Sequence, residues 1–354
     1  MAGAEPTKSD PTGEVVELEP LTAIGIHGDD VLFDLDEKIN LFRLGRATDA
    51  DLQVDSDYVS RHHAQLTRIP GSSRLRVVNL SKKTGIRFHG TWESDFSLGA
   101  GESFQIGLLR FWAMTAAMQR ARECFELVLG DRSKEKVDDA TIAARHGEHI
   151  VLIGEAGFEQ ETFASMVHMA SLRRRKEFVT LSGKTLAGPI DARVIERAQN
   201  GTAFLSTSLK HALAADWIDA LLGANVRLVV AAHTLRKAIE NVTPDVVNRS
   251  HHVEISPLRE RAAEIASCVD RMLKKRAASV SFGDLLPVVQ DKLITHNWPE
   301  NLRELRETVD IIATMARRSG GRADERETGI PRGRVERWLV RMKLDLPLVA
   351  DGVE

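Results

Sequence analysis

The apolar residues change their spacing near residue 115, and that change restricts the chain to at least two domains of different classes. Up to Thr115 they come in short runs such as Val31-Leu32-Phe33, Leu75-Arg76-Val77-Val78, Phe104-Gln105-Ile106 and Phe111-Trp112, separated by Gly, Asp, Asn and Ser. Strand-length runs closed by turn residues at this interval predict an all-β sandwich. From Ala116 the texture is different. Residues 116–129 read as a helix, and the charged stretch 130–139 reads as a linker into a second domain. There, strand-like stretches at 149–153, 178–181, 202–205 and 227–231 alternate with helix-like stretches at 161–170 and 192–199. Alternation of that kind predicts a parallel sheet covered by helices. After Pro257 the pattern is helical to Ala316.

Composition excludes several classes. A chain of 354 residues with 43% hydrophobic content has material for sizeable cores, so wholesale disorder is excluded. Two cysteines, Cys124 and Cys268, exclude a disulfide framework and a cysteine zinc site, and they fit a reducing cytoplasm. No apolar run is long enough for a membrane span, residues 1–20 lack the apolar segment of a signal peptide, and no metal is expected. The net charge of -3 is unevenly spread. Residues 1–115 hold 12 basic and 17 acidic residues, whereas residues 316–344 hold nine Lys or Arg against four Asp or Glu. A nucleic-acid role is thereby confined to about thirty residues near the end.

A phosphomonoester carries nearly two negative charges and three acceptor oxygens, and it is read by an arginine fork with hydroxyl and backbone donors from loops. Residue types of that kind occur in Leu44-Gly45-Arg46, in Val59-Ser60-Arg61-His62-His63-Ala64 and in Asn79-Leu80-Ser81-Lys82-Lys83-Thr84-Gly85. These stretches resemble the forkhead-associated (FHA) domain, whose pattern is Gly-Arg, then Ser-x-x-His, then an Asn-Gly turn, over residues 21–115. The resemblance implies that Arg46 and Ser60 bind phosphothreonine, that Arg61, Lys83 and Thr84 contact the peptide, and that His63 braces the loops from within. Thr84 stands where the family has Asn, and His89 where it has a later Asn. Thr84 keeps a hydroxyl but lacks the amide, which weakens capture of the peptide backbone. On the residues alone, Arg46 and Ser60 could instead pair with Asp49, Asp51 or Asp55, and His62 reads as a solvated side chain.

In the second domain, residues 149–161 run strand, turn, helix, with Gly154 and Gly157 in the turn. Backbone N–H groups at such a helix start cradle phosphates, provided that a glycine and a lysine follow. Those two places hold Glu159 and Gln160, so a carboxylate faces the phosphates and the compensating cation is missing. The stretch Gly201-Thr202-Ala203-Phe204-Leu205-Ser206-Thr207 looks like the strand that ends in two acidic residues for Mg²⁺ and water in an ATPase; here it ends in Ser206 and Thr207. Pro257-Leu258-Arg259-Glu260-Arg261 with Glu264-Ile265, and Asn297-Trp298-Pro299-Glu300-Asn301-Leu302-Arg303-Glu304-Leu305, resemble the sigma-54-interacting AAA+ domains of bacterial enhancer-binding proteins over residues 125–315. The resemblance implies an α/β P-loop domain with a helical lid, Arg303 at a nucleotide-sensing position and Arg249 at an interface position. The family's Gly-Ala-Phe-Thr-Gly-Ala loop is absent between Leu181 and Ala198. The expectation is a domain with no catalytic residue and no cofactor, in which Arg259, Glu260, Arg261 and Arg303 form a structural salt-bridge network.

Residues 329–339, Gly-Ile-Pro-Arg-Gly-Arg-Val-Glu-Arg-Trp-Leu, resemble the second half of a Fis-type helix-turn-helix. That implies DNA contacts from Arg332, Arg334, Arg337 and Arg341. The first half is poor, since Asp324, Glu325 and Thr328 take places of small apolar residues, and a solvated basic helix is the alternative. The expected multidomain organisation is a flexible arm (1–20), an FHA sandwich (21–115), a linker helix (116–138), an AAA+-like α/β subdomain (139–255), a helical lid (256–316) and a small helical C-terminus (317–346). The expected function is a cytoplasmic phosphothreonine-binding adaptor whose partners are a threonine-phosphorylated protein and AAA+ homologues or a second copy of itself, without membrane. The alternative is a DNA-binding transcription regulator switched by phosphopeptide docking.

Overall fold

The structure, a computed structural model, describes residues 19–186, 188–206, 215–276 and 280–319. Nearly all of the expected arm and C-terminal unit, including Arg332, Arg334, Arg337 and Arg341, lies outside the described residues, as does Thr207. The described residues form two compact units, 19–153 with 161–253 and 154–160 with 254–319.

The first unit begins with β1 (Leu21–Ile26), β2 (Leu32–Asp34), β3 (Leu41–Gly45), β4 (Leu52–Gln53), β5 (Ala64–Arg68), β6 (Leu75–Asn79), β7 (Ile86–Phe88), β8 (Thr91–Glu93), β9 (Asp95–Leu98), β10 (Ser103–Ile106) and β11 (Leu109–Thr115). They form two sheets, β2-β1-β11-β10-β7-β8 and β4-β3-β5-β6-β9. Their inner faces meet in a core built from Ile24, Phe42, Leu66, Val77, Phe104 and Phe111, with Phe104 stacked on Phe111 at 5.2 Å. Two hairpins depend on turn chemistry. His89 and Gly90 both have positive φ, as a two-residue turn between twisted strands requires, and Gly107 (φ +58°) opens the β10–β11 turn.

Two helices follow, α1 (Ala116–Leu129) and α2 (Lys134–His146). Thr115 caps α1 by accepting from the Met118 N–H, and left-handed Gly147 closes α2. The linker expected over 116–138 is therefore corrected. Its charged half belongs to a helix that runs on to His146 and packs against α1. The charge misleads because one carboxylate in it is buried: Asp138 has no exposed side-chain surface and accepts from Arg122 Nε at 2.7 Å and Gly28 N–H at 2.8 Å. Arg122 also donates to Glu126 at 2.5 Å and to the Asp29 carbonyl at 2.8 Å. A buried ion network thus ties the β1–β2 turn to both helices.

The rest of this unit is an α/β layer. Its strands β12 (Ile150–Ile153), β13 (Phe178–Leu181), β14 (Thr202–Ser206), β15 (Arg227–Ala232) and β16 (His251–Glu254) lie in the order β13-β14-β15-β12-β16, with the first four parallel. The helices are α3 (Gln160–Ala170), α4 (Gly183–Leu186), α5 (Ala192–Ala198), α6 (Ala215–Gly223), α7 (Leu235–Asn241) and α8 (Pro244–Asn248). Strands that are apolar on both faces, such as β15, are those of a covered parallel sheet. Arg227, 1% exposed, opens β15 and donates to the carbonyls of Ala143, Ala144, Glu148 and Val167 at 2.7–3.3 Å. Its burial, and secondarily Arg173, lowers its pKa to about 9.

The smaller unit joins residues 154–160 to 3₁₀ turns at Leu258–Glu264 and Phe282–Asp284 and to α9 (Ile265–Lys275), α10 (Pro287–Thr295) and α11 (Asn301–Ser319).

Candidate functional site

The residues expected to read phosphate converge on three loops of the sandwich. Arg46 follows β3, its N–H donates to the Ser60 carbonyl at 3.0 Å, and its guanidinium is 44% exposed. That guanidinium meets Asp57 at 2.8 Å, not Asp49, Asp51 or Asp55. Asp57 is itself 98% exposed, so the pair is held only weakly and an incoming dianion competes with it easily. Gly45 permits the close approach of these loops, because a Cβ there would stand 2.1 Å from the Arg61 carbonyl oxygen.

Ser60 is half-buried, and its hydroxyl lies 2.7 Å from that of Ser81. The Ser81 hydroxyl in turn accepts from the N–H groups of Lys83 (3.3 Å) and Thr84 (3.1 Å). Sequence reasoning passed over Ser81 as a site residue; only the fold brings it to Ser60. Arg61, His62 and Lys83 are exposed beside these loops, while Thr84 is half-buried. His63 is fully buried; its Nδ1 accepts from the Ser60 N–H at 3.0 Å, and its carbonyl accepts from Leu80 and Ser81. Burial lowers its pKa, which keeps the ring neutral and able to accept. The result is an exposed Arg46 flanked by exposed Arg61 and Lys83, linked hydroxyls and a buried histidine brace.

The glycine-bearing turn is built differently. Gly157 (φ +89°) packs so tightly that a Cβ would lie 2.1 Å from the Glu300 carbonyl oxygen, and its own carbonyl accepts from the Arg303 N–H at 2.9 Å. Glu155 is gripped by Arg259 through two bonds of 2.8 and 2.6 Å and by Asn301 Nδ2 at 3.3 Å. Glu159 pairs with Arg306. Gln160 turns its amide back onto the Glu155 carbonyl at 2.9 Å. The Arg303 side chain is half exposed and bonds Glu300 at 3.2 Å. The turn therefore offers two carboxylates and an amide where a nucleoside triphosphate with Mg²⁺ needs backbone donors and a lysine. This donor set does not fit that ligand.

Gly154, Gly157, Gln160 and Arg303 thus share the smaller unit, while Ser206 ends β14 in the larger one. Arg249 is exposed and pairs with Asp245 of its own helix at 3.2 Å. Among the described residues, no cluster of His, Cys, Asp and Glu is arranged to hold a metal, and no helix is long and apolar enough to cross a membrane.

Residues 42–107 match the model of the FHA domain. The Nif-specific regulatory protein of Rhizobium leguminosarum bv. trifolii is 28% identical over 227 residues, which are 52% of this chain and 64% of that protein. The sigma54-dependent transcriptional regulator SfnR of Pseudomonas fluorescens is 25% identical over 209 residues, 48% of this chain and 57% of that protein. The chain thus spans less than two thirds of either relative's length. NtrX of Brucella abortus, solved in complex with ADP, superposes with a TM-score of 0.43 at 18% identity, covering 63% of this chain and 64% of that one. The sandwich thus contains the stretch that matches the FHA domain, a parallel α/β layer follows it, and the chain is similar in sequence to these two regulatory proteins.

Proposed function

We propose that the chain is a regulatory adaptor that docks on threonine-phosphorylated protein through its FHA domain, and that its AAA+-like domain neither binds nor hydrolyses ATP. The observation that carries the reading is the exposed Arg46 beside the linked hydroxyls of Ser60 and Ser81, set on loops braced by buried His63. A phosphate entering there gains a charged fork and hydroxyl donors at once. Two charge-assisted bonds at about 1.5–3 kcal/mol each amount to at least a hundredfold in affinity. In fluorescence anisotropy with a phosphothreonine peptide library, the native protein binds and Arg46→Ala loses about that factor. Equal binding by Arg46→Ala, or no binding by the native protein, refutes the reading.

The paired carboxylates Glu155 and Glu159 support the second half of the proposal. Titration calorimetry with ATP and Mg²⁺ gives no heat of binding if it is right, and phosphate release overturns it. Exposed Arg249 is the residue we assign to contact with AAA+ homologues or a second copy, and the cytoplasm is the compartment we assign. The excess of basic residues in 316–344 favours a second reading, in which phosphopeptide docking switches a DNA-binding regulator. A gel shift with genomic fragments at low salt tests it, and no shift removes it.

A further inference from the structure

Strand register lays a row of side chains across the outer face of the six-stranded sheet. Trp92 on β8 stands opposite Arg87 on β7, Arg87 opposite Gln105 on β10, and Gln105 opposite Arg110 on β11. Directly opposed residues share a face, and four adjacent strands span about 14 Å, the length of roughly four extended peptide residues. The Arg87 guanidinium lies over the Trp92 ring at 4.8 Å from its centroid, and Arg110 donates to Ser103 at 3.0 Å. Trp92 is 63% exposed, a large apolar surface left in water beside a cation.

The row begins at the phosphate-reading loops. The Trp92 ring rests on Gly85, where a Cβ would come within 2.7 Å of it, and Gly85 follows Thr84, whose N–H holds Ser81. On the neighbouring turn, Tyr58 packs against Gly107 just as tightly, which sets the β10–β11 turn beside the loop that carries Ser60. The row then opens into a cleft of about 560 Å³, lined by Arg87, His89, Arg110 and His146. One carboxylate, Glu102, also lines it, and that carboxylate is already held by Arg74 at 2.7 Å and by the Gly99 N–H at 2.9 Å. This basic face belongs to a stretch, residues 1–115, in which acidic residues outnumber basic ones by five. The local sign is the reverse of the domain's.

We propose that the row is a subsite for acidic groups, carboxylate or a second phosphate, that flank the phosphothreonine within the same partner peptide. The inference rests on the phosphothreonine reading above and adds to it the class of peptide that is preferred. Trp92 covers the residue next to the phosphothreonine, and Arg87 and Arg110 meet negative charge a few residues further along. The peptide's negative charge complements the row, which is continuous with the phosphate-reading loops.

The test uses the full chain and three peptide series with a central phosphothreonine. One series is neutral on both sides, one carries two glutamates three to six residues away, and one carries a phosphoserine there instead. The native protein prefers an acidic series over the neutral one by roughly three- to tenfold, the range that two exposed ion pairs supply, and 0.5 M salt removes the preference. Arg87→Gln with Arg110→Gln loses the preference while keeping affinity for the neutral series. Arg76→Gln, which removes an exposed arginine paired with Asp95 on the other sheet, leaves the preference intact. The glutamate and phosphoserine series separate the two sources of charge. Neutral peptides bound as tightly as acidic ones by the native protein, or an unchanged preference in the double variant, overturns the subsite alone. No binding to any phosphothreonine peptide overturns the subsite and the reading beneath it together.

Discussion

Replacing Arg122 by Met strands a buried carboxylate, and the structure sets the size of the effect. Arg122 is nearly inaccessible and makes three side-chain bonds, to Asp138, to Glu126 and to the Asp29 carbonyl. Without it Asp138, whose side chain has no exposed surface, keeps only the Gly28 N–H. Breaking one side of a buried pair costs about 3–5 kcal/mol, because the remaining charge is left uncompensated. For a cooperative unit of this size that lowers Tm by roughly 10 °C or more. The effect depends on pH with a definite sign. Burial raises the Asp138 pKa above its ordinary value even with Arg122 and Gly28 opposing the shift. The folded state therefore binds a proton that the unfolded state has released, and stability falls as pH rises from the ordinary carboxylate pKa through the raised folded one. Removing Arg122 raises the folded pKa further, so Arg122→Met loses less stability at pH 5 than at pH 7. Urea unfolding followed by fluorescence of buried Trp112 measures both values. Converting the pair to apolar residues, Arg122→Met with Asp138→Leu, recovers most of the loss. A single variant costing under 1 kcal/mol, or a double variant no better than the single, refutes this account.

Two further outcomes are expected. His149 accepts the Leu228 N–H on Nδ1 and has its pKa lowered to about 4, first by burial and then by Arg227 and Arg173. Its contribution, on the order of 2–3 kcal/mol, is present above pH 6.5 and is lost as pH falls toward 4. His149→Asn, which keeps the acceptor without titrating, flattens the stability profile over that range, as urea midpoints at stepped pH values will register. Asn301 is fully buried and bonds the Ala156 carbonyl at 3.0 Å and the Leu258 N–H at 3.0 Å. Asn301→Leu leaves both backbone groups unpaired and costs about 2–4 kcal/mol, read as earlier proteolysis of residues 254–319; an unchanged cleavage rate contradicts it.

The fold class was legible because it rests on spacing. Short apolar runs closed by turn residues up to Thr115 and strand–helix alternation after it survive as two sheets and a covered parallel sheet. Gln160 in place of a lysine after the glycine-bearing turn is likewise visible in the sequence itself. Charge was the poorer guide. The charged stretch 130–139 reads as linker because residues such as Lys134–Asp139, six with five charges, normally lie in water, yet Asp138 is buried against a partner sixteen positions away. Arg227 likewise sits in an apolar run, and nothing local shows that its partners are carbonyls some 60 to 84 residues distant. Ser81 and the Trp92–Arg110 row needed register, which composition does not encode.

The buried arginines have a consequence for which substitutions the fold tolerates. The hairpin of α1 and α2 is fastened by guanidinium groups from both directions: Arg122 holds the β1–β2 turn of the sandwich, and Arg227 holds the carboxyl end of α2 against the start of β15. The acceptors at both ends are backbone carbonyls, Asp29 on one side and Ala143 and Ala144 on the other, so no side-chain substitution at the accepting positions removes either fastening.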